Sequence, residues 1–208
     1  MARSLIDEIH AYWFGDLRED ADYFAERSAL WFGGSPEADA EIALRFGAAL
    51  DRAILPGEDG IAPEFLAWTK TPKGTLALLV LVDQFSLQLY REKPQSYDRS
   101  ALVVPVAKDA IARGFEDFYA TSERLFLYLP FEHAENLADQ ELSVRCFERM
   151  AKEAQGAARD AAGGFLDYAE RHARVVKRFG RFPDRNEVYG RANTAEETAF
   201  LASAEAPF

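Results

Sequence analysis

The stretch GTLALLVLVDQFSLQLYR, residues 74–91, admits two readings. Its apolar run, LALLVLV at 76–82, has the length of a short buried strand. The pattern continues through Val82, Phe85 and Leu89 at helical spacing, and Thr71 and Pro72 supply an N-cap and a first-turn proline. One helix from Pro72 to about Arg91 is therefore predicted. The eighteen residues 74–91 span about 27 Å as a helix, and the first half is apolar on every side, so it should be the central buried helix.

The same period extends outward in both directions. Leu5, Ile9 and Trp13 recur every four residues and stop at Gly15, while Ser35 and Pro36 open a segment with Ile42, Phe46 and Leu50 on one face. That segment ends at the loop PGEDG, 56–60. Toward the C-terminus a helix is expected from Ser96 to Gly114, kinked or split by Pro105. Residues 121–150, TSERLFLYLPFEHAENLADQELSVRCFERM, read as two helices, the first bent or broken at Pro130 and the second running from about Asp139 to Ala154. QGAARDAAGG, 155–164, reads as a linker, followed by a helix from about Phe165 to Phe179 with Gly180 as its C-cap. Thr194 and Glu197 form a capping box that opens a last short helix. Eight or nine helices, short connections and no convincing strand predict a single all-α domain over residues 1–208, built of antiparallel helix pairs. No self-similar 34-residue consensus marks a solenoid.

Thirty-five acidic against 24 basic residues give a net charge of -11, which argues against nucleic-acid binding and against anionic membrane surfaces. The longest apolar run is far short of the roughly 20 residues of a membrane helix, and Asp7 and Glu8 stand where a signal peptide would have its apolar core. Cys146 is the only cysteine, which excludes an intrachain disulfide and fits a reducing cytosol. It shares an apolar stripe with Leu142 and Met150 and reads as a small buried hydrophobe. A cytoplasmic protein is expected.

The informative residues are polar groups in apolar places. Asp83 and Gln84 interrupt the most apolar helix, and an unpaired carboxylate there would cost several kcal/mol, so Asp83 needs a partner or a wet cleft. Gln88 and Arg91 continue the polar face. Glu132, Glu135 and Asp139 would share one face if their helix continued, whereas His133 falls on another side with Asn136 and Gln140. His172 lies on the stripe Phe165, Tyr168, Ala169, Val175, Val176 and Phe179, where a histidine is either a buried donor or a proton carrier. None of these residues has the helical spacing of a metal-binding pair, so no metal is expected. In KRFGRFPDRNEVYGR, 177–191, Arg178 crowds a helix C-terminus and Arg181 follows it, where cations are favourable. Arg185, Asn186 and Arg191 come after the break at Gly180 and Pro183, and need carboxylates or an anionic ligand as acceptors.

Three motifs, LVDQF with its following YR, RLFLYLPFEHAENLADQELSV, and FGRFPDRN with GRANTAEETAFL, resemble an uncharacterised, mostly bacterial family, the domain of unknown function numbered nine hundred and twenty-four. The similarity runs essentially end to end. The resemblance implies an all-α fold similar to the tetratricopeptide-repeat class, a right-handed array of helix pairs, and implies no activity. The family pattern has D-Q-F-P-R-N where this chain has Ser86, Leu87 and Gln88 after its D-Q-F. It has histidine where this chain has Asp184.

Two functional expectations follow. The first is a polar pocket for a small anionic ligand, enzymatic or not. In it Asp83, Glu132, His133 and His172 handle protons, and Gln84, Arg91, Arg178, Arg181, Arg185 and Asn186 hold the ligand. The second is a helical scaffold presenting a groove to a peptide or protein partner. A third account makes the same residues structural, with Asp83 paired to an arginine of the 178–185 segment. No cofactor is expected, since no phosphate loop or nucleophile motif is present.

Overall fold

The computed structural model describes residues 3–57 and 59–203. Glu58 of the PGEDG loop and both ends of the expected 1–208 domain, including the closing segment before Phe208, lie outside the described residues. In chain order the helices are α1 (Leu5–Trp13), α2 (Ala21–Phe32), α3 (Pro36–Ala53), α4 (Pro63–Leu66), α5 (Pro72–Leu79), α6 (Phe85–Leu89), α7 (Pro94–Ala112), α8 (Thr121–Glu132), α9 (Leu137–Glu153), α10 (Ala157–Phe179) and α11 (Ala195–Leu201). Short 3-10 turns fill 67–70, 115–118 and 183–185. The described residues form no strand, only an isolated bridge between Ile54 and Ile61. The fold is all-α.

The helix expected over 72–91 is central and buried, with every residue from Gly74 to Ser86 inaccessible. It is not one regular α-helix. Between α5 and α6, Val80–Gln84 form a π turn in which the Phe85 N–H donates to the Val80 carbonyl, five residues back. The turn admits one extra residue and turns Asp83 toward the end of α8. Beyond it, Phe85 stacks on Phe46 of α3 at 4.9 Å and meets Trp13 of α1 edge-on at 5.4 Å. Trp31 of α2 lies 4.9 Å from Phe126 of α8 and donates from its ring nitrogen to the Trp13 carbonyl at 2.9 Å. Edge-to-face aromatic contacts thus fix α2 against α1 and α8.

Several boundaries follow the sequence signals. Ser35 caps α3 by accepting from the Ala38 N–H, Thr71 caps α5 through the Gly74 N–H, Gly180 ends α10 at φ 70°, and the Thr194–Glu197 capping box closes in both directions.

Other boundaries depart from expectation. Pro105 does not split α7, which is continuous from Pro94 to Ala112. The proline and Ala101, whose carbonyl loses its partner, are both exposed, so water can take the carbonyl. α8 likewise runs through Pro130 and ends at Glu132. The supposed linker at 155–164 is the first part of α10, which starts at Ala157. Its small residues are there for packing: Ala158 and Ala162 are buried against the core, and α9 and α10, joined by three residues, lie antiparallel in close contact. A second, smaller apolar cluster of Val175, Val176, Phe182 and Phe200 holds the C-terminal segment. Among the described residues no helix is long and apolar enough to cross a membrane.

The packing role of 157–164 makes a directional prediction. Ala162→Leu should overpack the α9–α10 contact and lower stability by about 1–3 kcal/mol. Gly163→Ala, where an added methyl meets nothing within 4 Å, should raise it by about 0.5–1 kcal/mol. Urea denaturation midpoints measure both, and equal effects at the two positions would contradict the assignment.

Candidate functional site

Asp83 is 1% exposed. Its carboxylate accepts from His133 Nδ1 at 2.9 Å through one oxygen and from Gln84 Nε2 at 2.5 Å through the other, with a further bond from the Ser100 hydroxyl. Burial pushes this carboxyl up, but the charge and hydrogen bond of His133, with the bonds from Ser100 and Gln84, outweigh it and hold Asp83 below the ordinary carboxylate range. With Nδ1 pinned to Asp83, Nε2 of His133 has no partner among the described residues. A buried carboxylate that fixes the tautomer and orientation of a histidine is a recurring device of proton-transfer sites.

His133 is placed by the end of α8. Gln140 of α9 directs its amide nitrogen at the carbonyls of Phe131, Glu132 and Ala134, at 3.3, 2.6 and 2.8 Å, and so caps the helix and fixes the turn that carries the histidine. From behind, Arg185 donates to the His133 carbonyl at 2.8 Å and stacks on the rings of Tyr97 and Phe182, 4.4 and 4.2 Å from their centres.

Glu132 is 5% exposed, and among the described residues its carboxyl accepts no hydrogen bond. His172 Nδ1 of α10 lies 3.4 Å from it. That nitrogen donates to the Tyr168 carbonyl at 2.9 Å, so it carries the proton of the neutral ring. Burial pushes Glu132 up to about 7, against the pull of His133 and with a small push from Asp83, and burial lowers His172 to about 3. The pair is a carboxyl raised well above its ordinary range beside an uncharged imidazole.

These groups converge on a cleft of about 230 Å³. Its walls come from α2 and the turn after it (Trp31, Phe32, Gly34), from the π turn and α6 (Gln84, Leu87, Gln88, with Arg91 at the rim), from the end of α8 (Leu129, Glu132, His133) and from α10 (Tyr168, His172). An adjoining apolar chamber of about 400 Å³ shares Phe32, Leu129, Glu132 and Tyr168 with it. The larger and more open hollow of about 790 Å³ beside α1 is a weaker candidate, because its polar groups serve the fold. There Glu123 takes the Ala120 N–H, the Tyr119 hydroxyl donates to the Pro72 carbonyl, and His10 donates to the Lys73 carbonyl.

The structure brings together Asp83, Gln84, Glu132, His133, His172 and Arg91, but not the whole expected set. Arg91 reaches the rim already bridged to Asp39 at 3.0 and 3.2 Å. Arg178 binds Glu196 at 2.8 Å, Arg181 forks onto Glu197 at 2.7 and 2.9 Å, and Asn186 donates to Asn193 at 2.7 Å. All three tie the C-terminal segment together away from the cleft. Asp83 pairs with His133 and not, as the structural account had it, with an arginine of 178–185. The shared acidic face of Glu132, Glu135 and Asp139 does not form either, because α8 stops at Glu132. Glu135 instead binds Arg191 at 2.6 and 2.8 Å and the Phe182 N–H at 2.8 Å, and Asp139 pairs with Lys108.

Trp31 and Phe32 were absent from the sequence reading, although Asp20, which caps α2 through the Tyr23 N–H, and Gly33 after Phe32 mark that helix. Leu87, where the resemblance implies an arginine, lines the cleft; Asp184, where it implies a histidine, does not. Among the described residues no group of His, Cys, Asp and Glu is arranged to hold a metal ion.

The chain belongs to a bacterial family of unknown function, DUF924, whose model matches residues 9–205. It is similar to a solved structure, that of the protein of unknown function ATU0120 from Agrobacterium tumefaciens, with 29% identity and a TM-score of 0.75 over 95% of this chain and 96% of that one. No curated protein matches it.

The titrations at Glu132 and His172 have opposite signs. Glu132 in the folded state, at about 7, lies above its ordinary 4.5, so its contribution to stability is complete below pH 4.5 and declines as pH rises through 7. His172, at about 3 against 6.5, contributes fully above pH 6.5 and loses that contribution as pH falls toward 3. Glu132→Gln removes the first of these. Its stability should match wild type near pH 4 and exceed it at pH 8 by about 1–3 kcal/mol, read from denaturation midpoints at the two pH values. A variant less stable than wild type at pH 8 would refute the unpaired, buried reading of Glu132.

Proposed function

We propose that this member of the family binds a small molecule in the 230 Å³ cleft and that Glu132 and His133 exchange protons with it. One observation carries the reading: two groups suited to proton exchange, a carboxyl raised to about 7 and a histidine oriented by a buried carboxylate, line the same cleft. A catalytic acid or base works best with a pKa near the operating pH, which is what burial does to Glu132. Gln84 and Gln88 offer amide groups for orientation, and the neutral His172 presents an imidazole without adding charge.

The expectation of an anionic ligand drew on Arg181 and Arg185. Both are engaged within the protein, and neither is a wall of the cleft, so the sign of the ligand rests on the residues that do line it. The single cysteine, buried and free, supports a cytosolic setting for the chemistry. A helical scaffold that takes a peptide is a second reading, favoured by Phe32 and Tyr168, which are 54% and 48% exposed at the same mouth.

Screening metabolite mixtures for turnover, or for ligand-induced thermal stabilisation, tests the proposal. Glu132→Gln and His133→Asn should each lower turnover of a substrate found in this way by about 100-fold or more while leaving the fold intact. Asp83→Asn should act through His133 and shift the pH profile. Unchanged turnover in the first two variants would remove these residues from the chemistry. A peptide or protein partner whose binding ignores both substitutions would favour the scaffold.

A further inference from the structure

We propose that the ligand is a primary or secondary amine with an apolar tail, its ammonium group seated at Glu132 and its tail filling the 400 Å³ chamber. The inference deepens the small-molecule reading and rests on it. It stands on three features that meet at one place.

The first is the carboxyl of Glu132. It is buried, it lines both the cleft and the chamber, and among the described residues it accepts no hydrogen bond: His172 Nδ1 lies 3.4 Å away, and His133, whose pull burial outweighs, is bonded to Asp83. A buried carboxylate is costly unless paired, and an incoming ammonium would supply the missing charge-assisted hydrogen bond.

The second is the aromatic lining. Phe32 and Tyr168 are walls of both spaces, Phe165 adds a ring on the chamber side and Trp31 one on the cleft side. Aromatic side chains around a buried carboxylate are a lining suited to organic cations. The chamber itself is walled chiefly by apolar side chains, Leu125 and Leu129 among them, and its volume lies within the range of about 300–1,000 Å³ usual for small-molecule sites.

The third is the charge around the site. The cations at the mouth are already paired, Arg91 with Asp39 and Arg171, whose guanidinium lies over the Tyr168 ring, with Asp167 at 2.6 Å. His133 is bonded to Asp83, and His172 is held neutral by burial. Leu87, which also lines the cleft, carries no charge. An anionic head would therefore meet Glu132 with no unpaired arginine or lysine among the described lining residues to offset it, whereas a cationic head meets complementary charge.

The test is isothermal titration of the full chain at pH 8 with hexylamine, hexanol and hexanoate, which share a tail and differ in head. Hexylamine should bind at least tenfold more tightly than hexanoate and hexanol. Glu132→Gln, checked to be folded by its denaturation midpoint, should lose at least tenfold in hexylamine affinity. Wild-type affinity should fall between pH 8 and pH 6, as Glu132 takes up its proton while the alkylammonium keeps its own. No binding of hexylamine in the millimolar range overturns the proposal, as does hexanoate or hexanol binding equally well, or a Glu132→Gln variant that binds hexylamine as wild type does. If hexanol or hexanoate binds and the amine has no advantage, the amine assignment falls while the small-molecule reading of the cleft stands.

Discussion

The structure turns on one buried carboxylate. Asp83 sits in the most apolar segment of the chain, where an uncompensated charge would cost several kcal/mol, so the fold must bring donors to it. They come from three elements: Gln84 beside it in the π turn, Ser100 from α7 and His133 from the end of α8. Satisfying that one group therefore fixes the central helix against α7 and α8. The same contacts orient the histidine toward the cleft, so fold and candidate site rest on a single hydrogen-bonded centre.

Around that centre the arginines of 177–191 act as a brace. Arg185 reaches the back of the His133 turn, Arg191 and the Phe182 N–H converge on Glu135, and Arg181 ties the following helix through Glu197. A basic segment in an acidic chain thus answers the chain's own carboxylates and carbonyls. The charges are local structure, and among the described residues none of these arginines pairs with the carboxyl of Glu132 in the cleft.

Much of this was legible in the sequence, for identifiable reasons. Proline, glycine and capping-box signals located the ends of α3, α5, α10 and α11, because each names an orphan backbone group and its partner. Asp83, Glu132, His133 and His172 stood out because polar groups in apolar stripes demand partners. What was not legible is equally physical. The glycine- and alanine-rich stretch at 155–164 reads as a linker by composition, yet close helix packing needs small side chains of the same kind. Pro105 sits on an exposed helix face, where the carbonyl it leaves without a donor is open to solvent, and no local pattern reveals which face that is. The aromatic walls at Trp31 and Phe32 depend on how α2 docks, which is a long-range outcome.

The π turn at Val80–Gln84 is in effect a one-residue insertion held in a helix. Each residue of an α-helix advances about 100°, so the turn offsets everything after it by that angle relative to the segment before. Upstream of the insertion the helix is in register with an all-apolar environment; from its last residue, Gln84, onward, Leu87 and Gln88 come into register with the cleft. The site therefore has a phase as well as a composition: a single-residue deletion in that turn would leave the walls from α2, α8 and α10 in place and turn Leu87, Gln88 and Arg91 away from them. Loss of the site by frame, with its residues intact, is a route that inspection of the residues alone would miss.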